Sequence, residues 1–259
     1  MRQLTRLVVE NYRDNYKKLR DYTYIDHEIS RHIDGKGQVK STEIRTYELM
    51  ELYGEPVARL IEKDDKPLSE KDAAKEEERI QKLADKWKNE NEEAREKREA
   101  EKDKQRQKNR DFIAEVPDAY TFRLVGSEKL NGRDNWVIAG EPRPDFHART
   151  KDAQILPKFH GTLWIDKAEL QLAKMEIEAI DTASVAWGMA RIHKGTRVEY
   201  EQMRVNDEVW LPQHYEAKLD LRLLLFKSDN EQDEGTFRDY KKFRASSKIV
   251  SIGEGEGKK

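Results

Sequence analysis

Apolar residues follow two periods along this chain, and the change between them falls near residue 20. Leu4, Leu7, Val8, Tyr12, Tyr16 and Leu19 recur at three- and four-residue steps, with Arg, Glu, Asn and Lys between them. That spacing predicts an amphipathic helix of about four turns that lays one stripe on a sheet. The period then drops to two. "DYTYIDHEISRHID" and "QVKSTEIRTYELMELY" are rich in β-branched and aromatic residues, and "DGKG" at Asp34 to Gly37 joins them as a hairpin turn. "YGEP" turns again, and "VARLIEK" makes a third strand. The strands are long and polar on one side, as expected of an antiparallel sheet with one wet face.

Pro67 and Ser69 punctuate the chain before a stretch of almost pure charge. Ser69 to Asp111 holds 14 acids and 14 bases, a composition suited to a solvated helix or coil. Ser69 is a candidate N-cap with Glu70 and Asp72 in the first turn. Glu78 and Lys82 form a favourable i,i+4 pair, as do Glu93 and Lys97. Ala73, Ile80, Leu83, Ala84 and Trp87 make a narrow stripe, whereas the second half offers only Ala94 and Ala100. The first half is expected to dock and the second to project or fray, with a break at Asn89 to Asn91. No heptad persists long enough for a coiled coil.

Strands resume at Tyr120. "AYTFRLVGSEKL" and "DNWVIAGEPRP" flank an "NGR" turn, and Pro142 and Pro144 end the hairpin. In "FHGTLWIDKAELQLAKMEIEAID" (Phe159 to Asp181), Ala173, Met175, Ile177 and Ala179 alternate with Lys174, Glu176 and Glu178. "TRVEYEQMRV" meets "EVWLPQHYEAKLDLRLLLF" across Asn206 and Asp207, and Tyr215, Ala217, Leu219, Leu221, Leu223 and Leu225 alternate. "TFRDYKKFRASSKIV" closes the series, and residues 253–259 read as a flexible tail. The fold class is mainly β with α. It is an open, unclosed, curved antiparallel β-barrel of about ten or eleven strands in meander order, since a sheet that large must curl. One domain spans residues 1–252, with the charged helical insertion at 66–112 inside it.

Composition removes several functions. The chain has 259 residues and no cysteine, so disulfides, thiolate chemistry and Cys-type zinc sites are out. The net charge of −2 shows no basic excess of the kind a nucleic-acid binder carries. No run is long enough to cross a bilayer. "MRQLTRLVVE" is too short in its apolar part for a signal peptide, so for an exported protein the expectation is a mature chain with Met1 added.

Catalytic and metal constellations do not assemble. His27 and His32 in "HEISRH" stand at i,i+5 rather than the i,i+4 of zinc helices, and on a strand they point to opposite faces. His147, His160, His193 and His214 are scattered. No Gly-x-Ser-x-Gly elbow, P-loop or identifiable carboxylate pair is present, and Asp166 in "WID" reads as a turn-capping residue. Arg191 and Arg197 flank a turn at Gly195, either at a cavity rim or as exposed strand residues. Trp136, Trp164, Trp187 and Trp210 fall on strands and line either a ligand cavity or a core. No catalytic residue, metal or cofactor is therefore expected. An open barrel of this size has more apolar concave area than one helix fills, and unfilled apolar space is costly. The expected ligand-binding residues, from alternation, are Trp164, Met175, Ile177, Leu219, Leu221 and Leu223.

"GTLWIDKAELQLAKMEIE", "KLNGRDNWVIAGEPRP" and "VNDEVWLPQHYEAKL" resemble the periplasmic lipoprotein-localisation carriers of the LolA-like superfamily and the related outer-membrane lipoprotein-sorting proteins. The resemblance is better after the charged insertion than before it. It implies an unclosed barrel with helices across the concave face, a periplasmic location, and non-enzymatic binding of lipoprotein acyl chains or lipid. Related sigma-factor regulatory sensors use a similar fold, which gives an alternative: an envelope sensor or scaffold whose charged arm contacts a protein partner. Ser69 to Asp111 is longer and more charged than a carrier needs, and no binding residue transfers from the family by motif.

Overall fold

The computed structural model describes residues 1–19, 21–185, 190–223 and 229–243. The first helix, α1 (Arg2–Leu19), leads into three long strands and a short one: β1 (Tyr22–Ile33), β2 (Val39–Leu52), β3 (Glu55–Lys63) and β4 (Lys66–Pro67). Two helices follow, α2 (Glu70–Lys88) and α3 (Glu92–Ala119). Then come β5 (Tyr120–Leu130), β6 (Arg133–Pro142), a 3-10 helix (Asp152–Lys158), β7 (Phe159–Asp166) and β8 (Leu172–Ala179). The chain continues through β9 (Ala183–Val185), β10 (Ala190–Ile192), β11 (Arg197–Val205), β12 (Val209–Leu223) and β13 (Asp229–Lys242).

These strands form one antiparallel sheet in the order β4-β3-β2-β1-β13-β12-β11-β8-β7-β6-β5, with β9 and β10 appended beside β12. The ends, β4 and β5, are not paired with each other, so the sheet is open. The order is not a plain meander. The last strand, β13, inserts between β1 and β12, joining the first hairpins to the later ones. Turn chemistry sets the hairpins. Asn131 and Gly132 both take positive φ between β5 and β6, as do Asn206 and Asp207 between β11 and β12, the geometry that matches strand twist.

Residues directly opposite in an antiparallel ladder share a face, so the registers trace each face. One row runs Ile138, Leu163, Met175, Tyr200, Tyr215, Gly235, Glu28, Arg45 across eight strands. The adjacent row on that face runs Gly140, Gly161, Ile177, Val198, Ala217, Asp233, Ser30, Glu43. The opposite face carries Ala139, Thr162, Glu176, Glu199, Glu216 and Glu234. One face is thus apolar over much of its width and the other is charged.

Helix α1 lies on the apolar face at one end of the row. Val8 is buried with Ile138 and Ile165, and Leu4, Phe122, Trp136 and Leu163 surround them. Leu7 instead points to solvent, because at a 100° turn from Val8 it leaves the stripe. The C-terminal half of α1 is fixed by Asn15, whose amide oxygen accepts from the Trp210 N–H and whose amide nitrogen donates to the Trp210 carbonyl.

The charged insertion is two helices. Ser69 caps α2 by accepting from the Asp72 amide, and Asn91 caps α3 by accepting from the Ala94 amide, so the break falls where the asparagines predict. Ile80 and Ala84 of α2 are buried on Leu52 and Val57. Of the two outcomes expected for the second half, projecting or fraying, fraying is overturned, while residues 92–111 stand largely exposed. Helix α3 runs on to Ala119 through Pro117, and its last turns bury Ala119 with Ala153 and Leu156, flanked by Phe112 and Val116. The apolar residues that anchor it lie beyond Asp111, outside the stretch judged by charge alone. At its start, Arg98 and Lys102 pair with the buried Glu55 at the β2–β3 turn. With 28 residues, α3 is about 40 Å long and links the β3 side of the sheet to the β5 side.

Candidate functional site

The candidate site is the part of the apolar face beyond α1. Met175 and Ile177 on β8, Val198 and Tyr200 on β11, and Tyr215, Ala217 and Leu219 on β12 lie on adjoining positions. Except for Ala217, which is buried, each is half-buried, and they lie outside the buried clusters of the helix contacts. Strand alternation alone puts them in phase: valine, isoleucine and tyrosine suit a pleated surface, and the intervening lysines and glutamates turn to water.

Toward β13 and β1 the face becomes aromatic and then acidic. Tyr215 and Phe237 have ring centroids 5.8 Å apart, Phe237 and Tyr24 5.9 Å, and Tyr24 and Tyr240 5.2 Å. Gly235 makes room for this run, since a Cβ there would stand 2.0 Å from the Tyr215 ring. Asp26 stands opposite Phe237, and Glu28 opposite Gly235. Burial pushes the Asp26 carboxyl up to about 7, with the neighbouring Glu28 adding to the rise. Burial raises Glu28 as well. Tyr215 is raised by burial and by the nearby carboxylates of Glu28, Asp26 and Asp233.

The residues expected to bind ligand divide. Met175, Ile177 and Leu219 stand together on the apolar face. Trp164 is on the other face: it pairs across the ladder with Lys174, whose ammonium sits 5.2 Å from its ring centroid, and its indole N–H donates to Glu128. The neighbours Leu163 and Ile165 take the inward positions instead. Leu221 and Leu223 pair through their backbones with Ile192 and Ala190, and their side chains lie outside the described residues, as do Trp187 and Leu225. Trp136 joins the α1 contact, while Trp210 stacks under the Arg133 guanidinium at 5.3 Å.

The charged face holds a shallow groove of about 460 Å³ lined by Glu141, His160, Thr162, Glu178, Arg197 and Lys218. Its charges are mutually paired: Arg197 with Glu178, and Lys218 with Glu216. Among the described residues no group of three or more His, Asp or Glu side chains is placed to hold a metal ion. Asp166 caps its turn by accepting from the Ala168 and Glu169 amides and also accepts from Arg133.

Alternation gave the β8 and β12 positions, but Tyr24, Asp26, Glu28 and Phe237 were not expected at the site. The phase was readable within β1, where Tyr22, Tyr24, Asp26 and Glu28 share a parity. Their neighbour, β13, comes from the other end of the chain.

No protein-family model and no curated protein matches the sequence. Several solved structures are similar over nearly the whole length. A domain described as an outer membrane lipoprotein-sorting protein, from Vibrio parahaemolyticus, is 12% identical with a TM-score of 0.37, covering 95% of each chain. A LolA superfamily protein from Nitrosomonas europaea is 10% identical with a TM-score of 0.36, covering 95% of this chain and 96% of the other. The MucA/MucB complex of Pseudomonas aeruginosa gives 10% identity and a TM-score of 0.25, covering 90% and 94%. Structures of the superfamily that the hairpins resemble are thus among those similar to this chain. At these scores the likeness carries neither family membership nor function. Among the described residues no helix is long and apolar enough to cross a membrane.

Proposed function

We propose that this chain is a non-enzymatic periplasmic binder of a hydrophobic ligand, an acyl chain of a lipoprotein or lipid, held on the apolar face of the open sheet. The observation that carries the reading is the continuous strip Met175, Ile177, Val198, Tyr200, Ala217 and Leu219 beside α1. Burying such a strip under a chain recovers on the order of 25 cal/mol per Å² of apolar surface. The ligand enters along the part of the face that α1 leaves open and lies beside Met175 and Leu219.

The test compares Ile177→Glu with Glu178→Gln, its neighbour on the charged face, using a fluorescent fatty-acid probe and circular dichroism. Loss of probe binding in a folded Ile177→Glu chain, with Glu178→Gln unchanged, supports the strip. Equal binding in both variants places the ligand elsewhere or nowhere on this chain.

The second reading, an envelope sensor or scaffold, draws on the exposed, evenly charged surface of α2 and the first half of α3. Removing residues 70–108 and rejoining the chain separates the two: a lipid binder keeps its probe, whereas a scaffold loses its protein partner.

A further inference from the structure

We infer that the ligand of this face carries a cationic end of ammonium type, received by the aromatic run of β12, β13 and β1 and by the Asp26 and Glu28 side chains beside it. The inference rests on the reading above, because it assigns the polar end of the same ligand.

The rings come first. Tyr215, Phe237, Tyr24 and Tyr240 form a chain of contacts with centroids 5.2 to 5.9 Å apart. All four are only half-buried; Tyr240, at the end of the run, packs against Tyr22, Val209 and Leu211 beside Leu19 of α1, while Tyr215, Phe237 and Tyr24 stand outside the helix clusters. An aromatic face is apolar yet negative toward the ring centre, so it accepts both methylene groups and a cation, best a weakly hydrated one. The glycine at 235 is what seats the Tyr215 ring over the backbone.

Charge complementarity then selects the occupant. Asp26 and Glu28 stand on the same face as the rings, and their carboxyls hydrogen-bond to each other. One oxygen of Asp26 is shut off from solvent and has no hydrogen-bond partner among the described residues. Asp233 on β13 adds a third carboxylate, held by the Ser30 hydroxyl at 2.6 Å. On β2, Arg45 stands opposite Glu28, but its guanidinium is drawn to Glu43 and to Tyr47. His27 turns to the other face, where it meets Asp65, and Glu231 lies farther along β13 opposite His32. Tyr215, raised by burial and by the nearby carboxylates, brings no charge of its own near neutral pH. When ionised, Asp26, Glu28 and Asp233 outnumber the single Arg45. A cationic head beside the rings relieves that excess, while its chain runs onto Ile177 and Leu219. An anionic head meets repulsion at the same place.

Two single-chain probes of equal length decide the matter: dodecyltrimethylammonium and dodecyl sulfonate, titrated below their micelle concentrations. Both heads keep their charge across the range. At about pH 8 the ammonium probe is expected to bind about tenfold more tightly. Its binding should weaken severalfold at about pH 6, where Asp26, pushed up to about 7 by burial, takes up a proton and one counter-charge is lost, and the sulfonate should not follow. Asp26→Asn with Glu28→Gln should abolish the preference, and Phe237→Leu should reduce it. Equal binding of the two probes, or a preference that survives the double variant, overturns the cationic end and leaves the acyl-chain reading standing. Binding of neither probe overturns both. If the double variant fails to fold, the pH profile of the unaltered chain decides: a preference for the ammonium probe that does not change between about pH 8 and about pH 6 overturns the cationic end.

Discussion

Two glycines on the apolar face admit close neighbours for different reasons, and they separate in a test. A Cβ at Gly161 would stand 2.6 Å from the Glu176 carbonyl oxygen, a backbone atom of the paired strand. A Cβ at Gly235 would meet the Tyr215 ring, which has rotamers to retreat into. Gly161→Ala should therefore destabilise the chain by roughly 1–3 kcal/mol, read from denaturant midpoints. Gly235→Ala should cost less than Gly161→Ala, because a ring moves more easily than a ladder. The same melting series would sink this reasoning if the order were reversed. Arg133 and Asp166 make a second residue-scale case. Burial pushes Asp166 up, but the Arg133 bond and the Glu169 and Ala168 amides outweigh it and hold the carboxyl below its usual value. Arg133→Ala leaves that carboxylate 1% exposed without its cation, a change worth roughly 3 kcal/mol at neutral pH. Because the folded pKa is depressed, the contribution is present above the unfolded value of about 4 and fades as pH falls through the folded one. Wild type and variant should converge in stability in acid, and a gap that persists unchanged there would show that the ion pair is not its source.

At the scale of elements, α1 is held to the sheet by a polar clamp as much as by its apolar stripe. Asn15 is buried and satisfies both backbone groups of Trp210, doing for that residue what a neighbouring strand does elsewhere in the ladder. Asn15→Ala strands a buried N–H and C=O, a loss of about 2–3 kcal/mol. Hydrogen exchange in the second half of α1 should accelerate while the core of β7 and β8 stays protected. Exchange that accelerates equally everywhere would mean α1 does not come away as a unit. Helix α3 is fastened differently. Its Glu115 is buried and accepts from the Arg149 and Thr150 amides and the Thr150 hydroxyl. Near its start, Arg98 and Lys102 close on Glu55. The long exposed middle needs no core of its own, since its two ends supply the contacts.

At the scale of the molecule, the apolar face carries a stability cost that depends on pH. Asp26, pushed up to about 7 by burial and by Glu28, binds a proton more readily folded than unfolded. The folded state is therefore favoured below the unfolded value near 4 and loses that advantage as pH rises toward about 7. Asp26→Asn removes the slope. The variant should match or fall below the wild type at about pH 4 and exceed it in stability at about pH 8, measured by thermal melts across the range. A variant that is less stable at both ends would show that the carboxyl is not a charge held at a cost. Tolerating such a group on the apolar face fits a surface kept for a ligand.

Local rules carried far in this chain. The α1 period, the "NG" and "ND" turns, the Ser69 cap and the strands of residues 159–223 depend on neighbours within a few positions, and each was legible. Met175, Ile177 and Leu219 were assigned to one face for the same reason. Trp164 was assigned to that face by the same alternation, but its ladder partner Lys174 puts it on the other one. Phase within a strand is local, but which phase faces the helix is settled only by packing. The anchoring of α3 was missed because its contacts come from Ala153, Leu156, Arg149 and Thr150, more than 30 positions away. The acidic and aromatic end of the site was beyond reach for a stronger reason. It exists only because β13 slides between β1 and β12, setting Phe237 opposite Asp26 and Gly235 opposite Glu28. The sequence by itself determined the strands, their turns and the alternation of each. Tertiary structure alone decided which strands are neighbours, since pairing between distant segments is fixed by a sheet-wide match of faces that no local window contains.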